Sequence, residues 1–205
     1  EGSEVRNCYG SITNCIIWGK DPNSFWNCSR PTYSCVYGGS IGEENIEENP
    51  LFAEHGYWEP SEPNPFNFID PNWIDGDYHL KSQAGRWDPA SETWIYDEVT
   101  SPCIDAGNPG TSLGGEPSGP YNLRINMGAY GGTAQASKTP PGWSLLADLT
   151  NDGIVDLEDF AGQKKYWQQN GTELPGDLSR NSLVDIEDLV LLVQDWLAQT
   201  VWYGI

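Results

Sequence analysis

The chain has 205 residues, 30 of them acidic and 10 basic, for a formal charge of -20 at pH 7. A field of that sign repels phosphate backbones and anionic membrane surfaces and attracts divalent cations, so nucleic acid is not an expected partner. No apolar run is long enough to span a bilayer, and the start EGSEVRNCYG lacks the basic-then-apolar pattern of a signal peptide. The expectation is therefore a secreted chain whose leader has been removed, or one cut from a longer protein. Plentiful Gly (23), Pro (15), Trp (10) and Tyr (10) beside a single Met suit a rigid extracellular or cell-surface scaffold.

The first elements are short and repeated. VRNCYGSITNCIIWGK (residues 5–20) aligns with FWNCSRPTYSCVYGGS (residues 25–40) at an offset of 20, matching Asn7 to Asn27, Cys8 to Cys28, Cys15 to Cys35, Ile16 to Val36 and Gly19 to Gly39. A period of that size, with strands of a few residues, is that of one coil of a β-solenoid, in which equivalent residues stack about 4.8 Å apart. Stacked cysteines at that spacing can form disulfides, Cys8 with Cys28 and Cys15 with Cys35, or a ladder of reduced thiols; both remain open, and Cys103 is left over. Four further strand-like runs follow: NIEENPLF (45–52), GDYHLK (76–81), SPCIDAG (101–107) and RINMGAYGG (124–132), separated by Pro- and Trp-rich insertions.

The order GGSIGEENIEENPLF, GDYHLKSQAGRW, SPCIDAG, RINMGAYGGTA resembles the last coils of secreted bacterial right-handed parallel β-helix repeat proteins. The resemblance implies a mainly β chain whose residues 1–137 are the C-terminal coils of a right-handed parallel β-helix (solenoid). In that family these coils carry no known catalytic residues.

At KTPPG (residues 138–142) the pattern changes, and the Pro-Pro step reads as a short, stiff linker. Residues 143–205 then hold two copies of a twelve-residue loop that meets the oxygen pattern of a calcium site at positions 1, 3, 5, 7, 9 and 12. DLTNDGIVDLED (148–159) supplies Asp148, Thr150, Asp152, the carbonyl of Ile154, Asp156 and Asp159, with Gly153 at the turn. DLSRNSLVDIED (177–188) supplies Asp177, Ser179, Asn181, the carbonyl of Leu183, Asp185 and Asp188, but has Ser182 at the turn and a neutral position 5. Two calcium ions are expected, the second held more weakly. Each loop feeds an apolar-periodic stretch: Phe160, Ala161 and Trp167 after the first, Leu189, Leu192, Val193 and Trp196 after the second.

Two loop-helix units 29 residues apart, each with Asp at position 12, resemble a dockerin, an EF-hand-like module, over about residues 145–198. The resemblance implies a small α-helical calcium-binding domain that docks a cohesin-like domain. Loop positions 10 and 11, here Leu157, Glu158, Ile186 and Glu187, would help choose the partner. Thr150 and Ser179 at position 3, where dockerins favour Asn, depart from the pattern.

No catalytic set stands out. His55 and His79 lack a Ser or Cys constellation, and the paired carboxylates Glu43–Glu44 and Glu47–Glu48 read as acidic surface, so the chain is not expected to be an enzyme. Trp58, Trp73, Trp87 and Trp94 are either loop anchors or a sugar-stacking surface, which keeps open a polysaccharide-binding protein or a piece of a β-helix carbohydrate-active enzyme. A chain that starts within a coil and ends in the apolar TVWYGI could also join head to tail with copies of itself as a filament. The function expected is calcium-supported attachment or self-assembly through a protein partner.

Overall fold

The computed structural model describes residues 5–18, 25–38, 42–59 and 72–202. The Gly19–Gly39 match, the start within a coil at residues 1–4 and the end of the tail at residues 203–205 lie outside them. The repeat is real as backbone pairing. Strands β1 (Val5–Arg6), β2 (Ile12–Thr13) and β3 (Ile16–Ile17) pair in parallel with β4 (Phe25–Trp26), β5 (Pro31–Thr32) and β6 (Cys35–Val36).

The register slips within that repeat. Val5 faces Phe25, twenty residues on, but Ile12 faces Pro31 and Ile16 faces Cys35, nineteen on. The corner between the first and second strands of the turn is one residue shorter in the second copy. The left-handed corner residues record the change, since Asn7 and Asn27 (φ 57 and 55) are twenty apart and Asn14 and Tyr33 (φ 56 and 46) nineteen. Asn tolerates this conformation better than other non-Gly residues. Cys8 therefore stays over Cys28, its amide donating to the Cys28 sulfur at 3.3 Å. Cys35 lies beside Ile16 and packs against Cys103 in the core. The expected partnership of Cys15 with Cys35 is not the register that forms.

The solenoid does not form. Parallel pairing among the described residues reaches a third turn only as a single bridge, Cys35 to Ile46. Beyond Pro50, which has no ladder donor, Leu51 takes φ 50, and the next pairing is antiparallel, Phe52 bridging Leu80. Two antiparallel hairpins follow, β7 (Tyr57–Trp58) with β8 (Trp73–Ile74) and β9 (Arg86–Asp88) with β10 (Thr93–Ile95). Among the described residues all five sheets have two strands, none longer than three residues, too short to propagate a continuous ladder across insertions of this length. The expected fold, a right-handed parallel β-helix followed by a small α-helical dockerin-like domain, is thus corrected. The described residues form a set of small sheets and turns, and among those of the C-terminal part only two short helices occur, α1 (Leu157–Lys164) and α2 (Ile186–Gln194), between loops.

Two apolar clusters hold this together. Cys35, Leu80, Cys103, Ile104, Ala106 and Met127 form one, with Ile16, Trp18, Ile46 and Phe52 packed on it. Ala147, Leu149, Val155, Leu178 and Leu192 form the other beneath the helices. Between them runs Arg124, fully buried, whose guanidinium donates to the carbonyls of Gly107 (2.9 and 2.6 Å), Ala106 (3.3 Å) and Asp148. Arg180 adds bonds to the carbonyls of Pro109 (2.9 Å) and Leu123 (2.6 Å), and Asn108 one to Glu173 (2.9 Å). The Arg124 bonds supply donors to backbone carbonyls in the buried part of the molecule.

Candidate metal centre

The two loops share most of their hydrogen bonds. Each is followed by a helix whose N-cap is an aspartate, Asp156 or Asp185, in a capping box with the Asp three residues on. After each helix the chain turns through a left-handed residue, Gln168 or Leu197 at φ 60, and pairs with the opposite loop. Gln168 donates to Val184 O at 2.8 Å and Leu197 to Val155 O at 2.8 Å; Gly171 donates to Ser182 O and Thr200 to Gly153 O. Every partner is 29 residues from its counterpart, so the units are exchanged about a local twofold. The sequence could show the duplicated loop, but not that each loop is completed by the tail of the other helix.

Within the first loop, Asp148 accepts from the amides of Asp152 (3.2 Å) and Gly153 (3.0 Å), and Asp159 from those of Thr150 (3.0 Å) and Asp156 (2.8 Å). The Thr150 hydroxyl touches both carboxylates, 3.4 Å from Asp148 Oδ1 and 3.1 Å from Asp159 Oδ1. The second loop repeats this: Asp177 accepts from Asn181 (3.0 Å) and Ser182 (2.7 Å), Asp188 from Ser179 (2.9 Å) and Asp185 (2.8 Å), and the Ser179 hydroxyl lies 3.3 Å from Asp177. Positions 1, 3 and 12 thus meet in both loops.

Position 5 is turned inward on its own loop, Asp152 accepting from Ile154 and Asn181 from Leu183. Position 9 is occupied as a helix cap: Asp156 accepts from Glu158 and Asp185 from Glu187. Among the described residues, no three Asp, Glu, His or Cys groups gather closely enough to hold a metal ion as they stand.

The electrostatics of the first loop are costly without a cation. Asp148 is 3% exposed and Asp159 is 0%. Burial, resisted by the Arg124 charge and reinforced by Asp159, pushes the Asp148 carboxyl up to about 6, and burial raises Asp159 as well. Two buried carboxylates converging on one hydroxyl destabilise each other's ionised form. The donors are hard oxygens throughout, the chemistry calcium selects. Of the expected donors, Asp148, Thr150, Asp152, Ile154, Asp156 and Asp159 in the first loop and Asp177, Ser179, Asn181, Leu183, Asp185 and Asp188 in the second, the structure brings positions 1, 3 and 12 together, while positions 5 and 9 bond within their own loop or cap the helix.

The residues expected to face a partner lie at the surface. Leu157 is 69% exposed and Ile186 60%, with Glu158 and Glu187 exposed beside them. The apolar exposure continues through Val190 and Val193 on α2 and Leu197 just beyond it. Of the apolar-periodic positions, Leu192 is buried, while Phe160, Trp167, Val193 and Trp196 are exposed. The residue matching Leu192 in the first unit is Gln163, also buried, with its Oε1 lacking a partner.

Elsewhere, His79 forms a buried network the sequence did not suggest. Its Nδ1 is 2.5 Å from Asp77, Arg86 joins Asp77 (3.1 Å) to Asp97 (3.2 Å), and Tyr130 stacks on the imidazole at 3.5 Å. Of the tryptophans, Trp58 and Trp73 are exposed edge to face on one hairpin, whereas Trp87 and Trp94 are half-buried and Lys138 sits 4.0 Å over Trp94.

The disaggregatase-related family matches over residues 62–107, under a quarter of the chain and wholly outside the two loops. No curated protein and no solved structure matches.

Proposed function

We propose that this chain is a calcium-binding, non-catalytic extracellular protein that uses its duplicated loops to present an apolar face to a protein partner. The observation that carries the reading is a pair of buried carboxylates meeting at position 3 in each of two twofold-related loops, both on the Thr150 hydroxyl in the first and on the hydroxyl and amide of Ser179 in the second. Calcium would take over their charge and their free lone pairs. It would thereby stabilise the folded state, since the unfolded chain offers no such cluster. Leu157 and Ile186, at equivalent points of the two units, then stand with Glu158 and Glu187 as the partner surface. A cohesin-like domain is the partner that the loops' likeness to dockerin loops favours.

The test is thermal melting with and without chelator. At free calcium about a hundredfold above Kd, the gain is about 2.7 kcal/mol, which for a chain of this size raises Tm by about 5–10 °C. Helical circular dichroism from residues 143–205 should weaken in chelator. Melting unchanged by excess chelator would overturn the reading.

A second reading, polysaccharide binding, is favoured by one observation, the exposed Trp58–Trp73 pair with ring centroids 5.1 Å apart. Retention in a polysaccharide affinity gel that is lost on Trp73→Ala would support it, and no retention of the intact chain would end it.

A further inference from the structure

Two stretches of the chain carry the pattern Asn-X-Ser/Thr with X other than Pro, the acceptor pattern for an N-linked glycan: Asn27-Cys28-Ser29 and Asn170-Gly171-Thr172. The three letters do not separate them, but their surroundings do.

At the first, the acceptor nitrogen is already committed. Asn27 Nδ2, the atom that would carry the sugar, donates to Asn7 Oδ1 at 3.0 Å and to the Tyr9 hydroxyl at 2.7 Å. Its neighbours are tied to the stacked repeat as well, Cys28 Sγ to the Cys8 amide at 3.3 Å and the Ser29 amide to the Cys8 carbonyl at 2.9 Å.

The second is open. Asn170 and Thr172 are both exposed, and neither side chain makes a hydrogen bond among the described residues. Asn170 faces Leu183 in an antiparallel bridge, but the bonds run on either side of it, from Gly171 N to Ser182 O (3.0 Å) and from Val184 N to Gln169 O (3.1 Å). On the far side Glu173 turns through φ 57, and its carbonyl accepts from Asn108 Nδ2 at 2.9 Å. The triplet is thus pinned at both ends and bare between them. The equivalent stretch of the other unit, Gln199-Thr200-Val201, has no asparagine, and its Thr200 is buried with the hydroxyl donating to Gly153 O at 3.3 Å.

We infer that Asn170 is an acceptor site for an N-linked glycan, supplied by a polyprenyl-diphosphate-linked oligosaccharide. Asn170 Nδ2 attacks the anomeric carbon of that donor. A C–N bond forms, the sugar's C–O bond to phosphate breaks, polyprenyl diphosphate leaves with the electron pair, and the amide gives up one proton. The Thr172 hydroxyl, two residues on, is the group a transferase would read. The assignment rests on the extracellular reading, since such donors serve exported chains, but it does not depend on the calcium ions or the partner surface.

The folded full chain would be incubated with a purified oligosaccharyltransferase that requires only Asn-X-Ser/Thr and its lipid-linked oligosaccharide, beside an Asn-Gly-Thr peptide as a positive control. Modification would be read by peptide mass spectrometry, with calcium present and again in chelator, so that a failure of the calcium reading leaves this result standing. One glycan per chain is expected, on Asn170. It should be lost in Asn170→Gln and in Thr172→Ala, retained in Thr172→Ser and unaffected by Asn27→Gln. Both variants that lose it change exposed side chains and should melt with the parent. An unmodified chain beside a modified control peptide, or a glycan carried by Asn27 as fully as by Asn170, would overturn the assignment.

Discussion

The turn residue at loop position 6 offers a paired experiment, because the molecule holds both answers to the same backbone demand. Gly153 has φ 91 and Ser182 has φ 72, so both loops need the left-handed region at that point. A residue with a Cβ costs about 1–2 kcal/mol there, and glycine escapes it. Ser182→Gly should therefore stabilise the protein by about 0.5–1 kcal/mol, less than the full cost because glycine is also freer in the unfolded chain. The reverse change is not its mirror image. A Cβ on Gly153 would lie 2.8 Å from Thr200 Oγ1 and 3.1 Å from two ring atoms of Trp202. Overpacking of that kind adds about 1–3 kcal/mol, so Gly153→Ala should destabilise by about 2–5 kcal/mol in all. Urea unfolding of both variants in chelator gives the midpoint shifts directly, and calcium titration then shows whether Ser182→Gly tightens the second loop. A Gly153→Ala variant as stable as the parent, or a Ser182→Gly variant less stable, would refute the account of the turn.

Three further expectations follow from single residues. Gln163 occupies the place of Leu192 with its Oε1 unpartnered and its Nε2 held by one long bond of 3.4 Å to Gly176 O, so Gln163→Leu should stabilise by about 1–2 kcal/mol in urea unfolding. Burial raises Asp105 to about 6, against the pull of the Leu123 amide, the Ser144 hydroxyl and the Arg124 charge. The folded chain then keeps a proton that the unfolded chain loses near pH 4. The contribution is complete below about pH 4 and is lost as pH rises through about 6, worth about 3 kcal/mol, so stability measured from pH 4 to 7 should fall more in the parent than in Asp105→Asn. Oxidation by a small-molecule disulfide should link Cys8 to Cys28 and not Cys15 to Cys35, as peptide mapping by mass spectrometry would show, because the register sets Cys35 beside Ile16 and against Cys103.

The duplicated loops were the most legible part of the sequence as local structure. The carboxylates at positions 1 and 12 lie within twelve residues, and the capping aspartates are part of the same pattern, so no distant contact has to be known. The repeat of residues 5–40 was legible as a repeat but not in register, since a one-residue shortening of a corner moves Cys35 without disturbing the composition. The solenoid was misread for a related reason. Strand-like runs kept their order, but whether each pairs in parallel with the last depends on the path of the insertions, and after Pro50 and Leu51 the next pairing, Phe52 with Leu80, is antiparallel. Arg124, Gln163 and the Asp77–His79–Arg86–Asp97 network were invisible for want of any local signature. Their roles arise from burial against carbonyls and carboxylates far away in the chain.

Calcium binding itself is most directly measured by isothermal titration of the decalcified full chain. Two ions per chain are predicted, the first loop tighter than the second, with Asp148→Asn abolishing the tighter event and Asp177→Asn the weaker. A chain that takes up no calcium, or whose uptake is the same in both variants, would contradict the account.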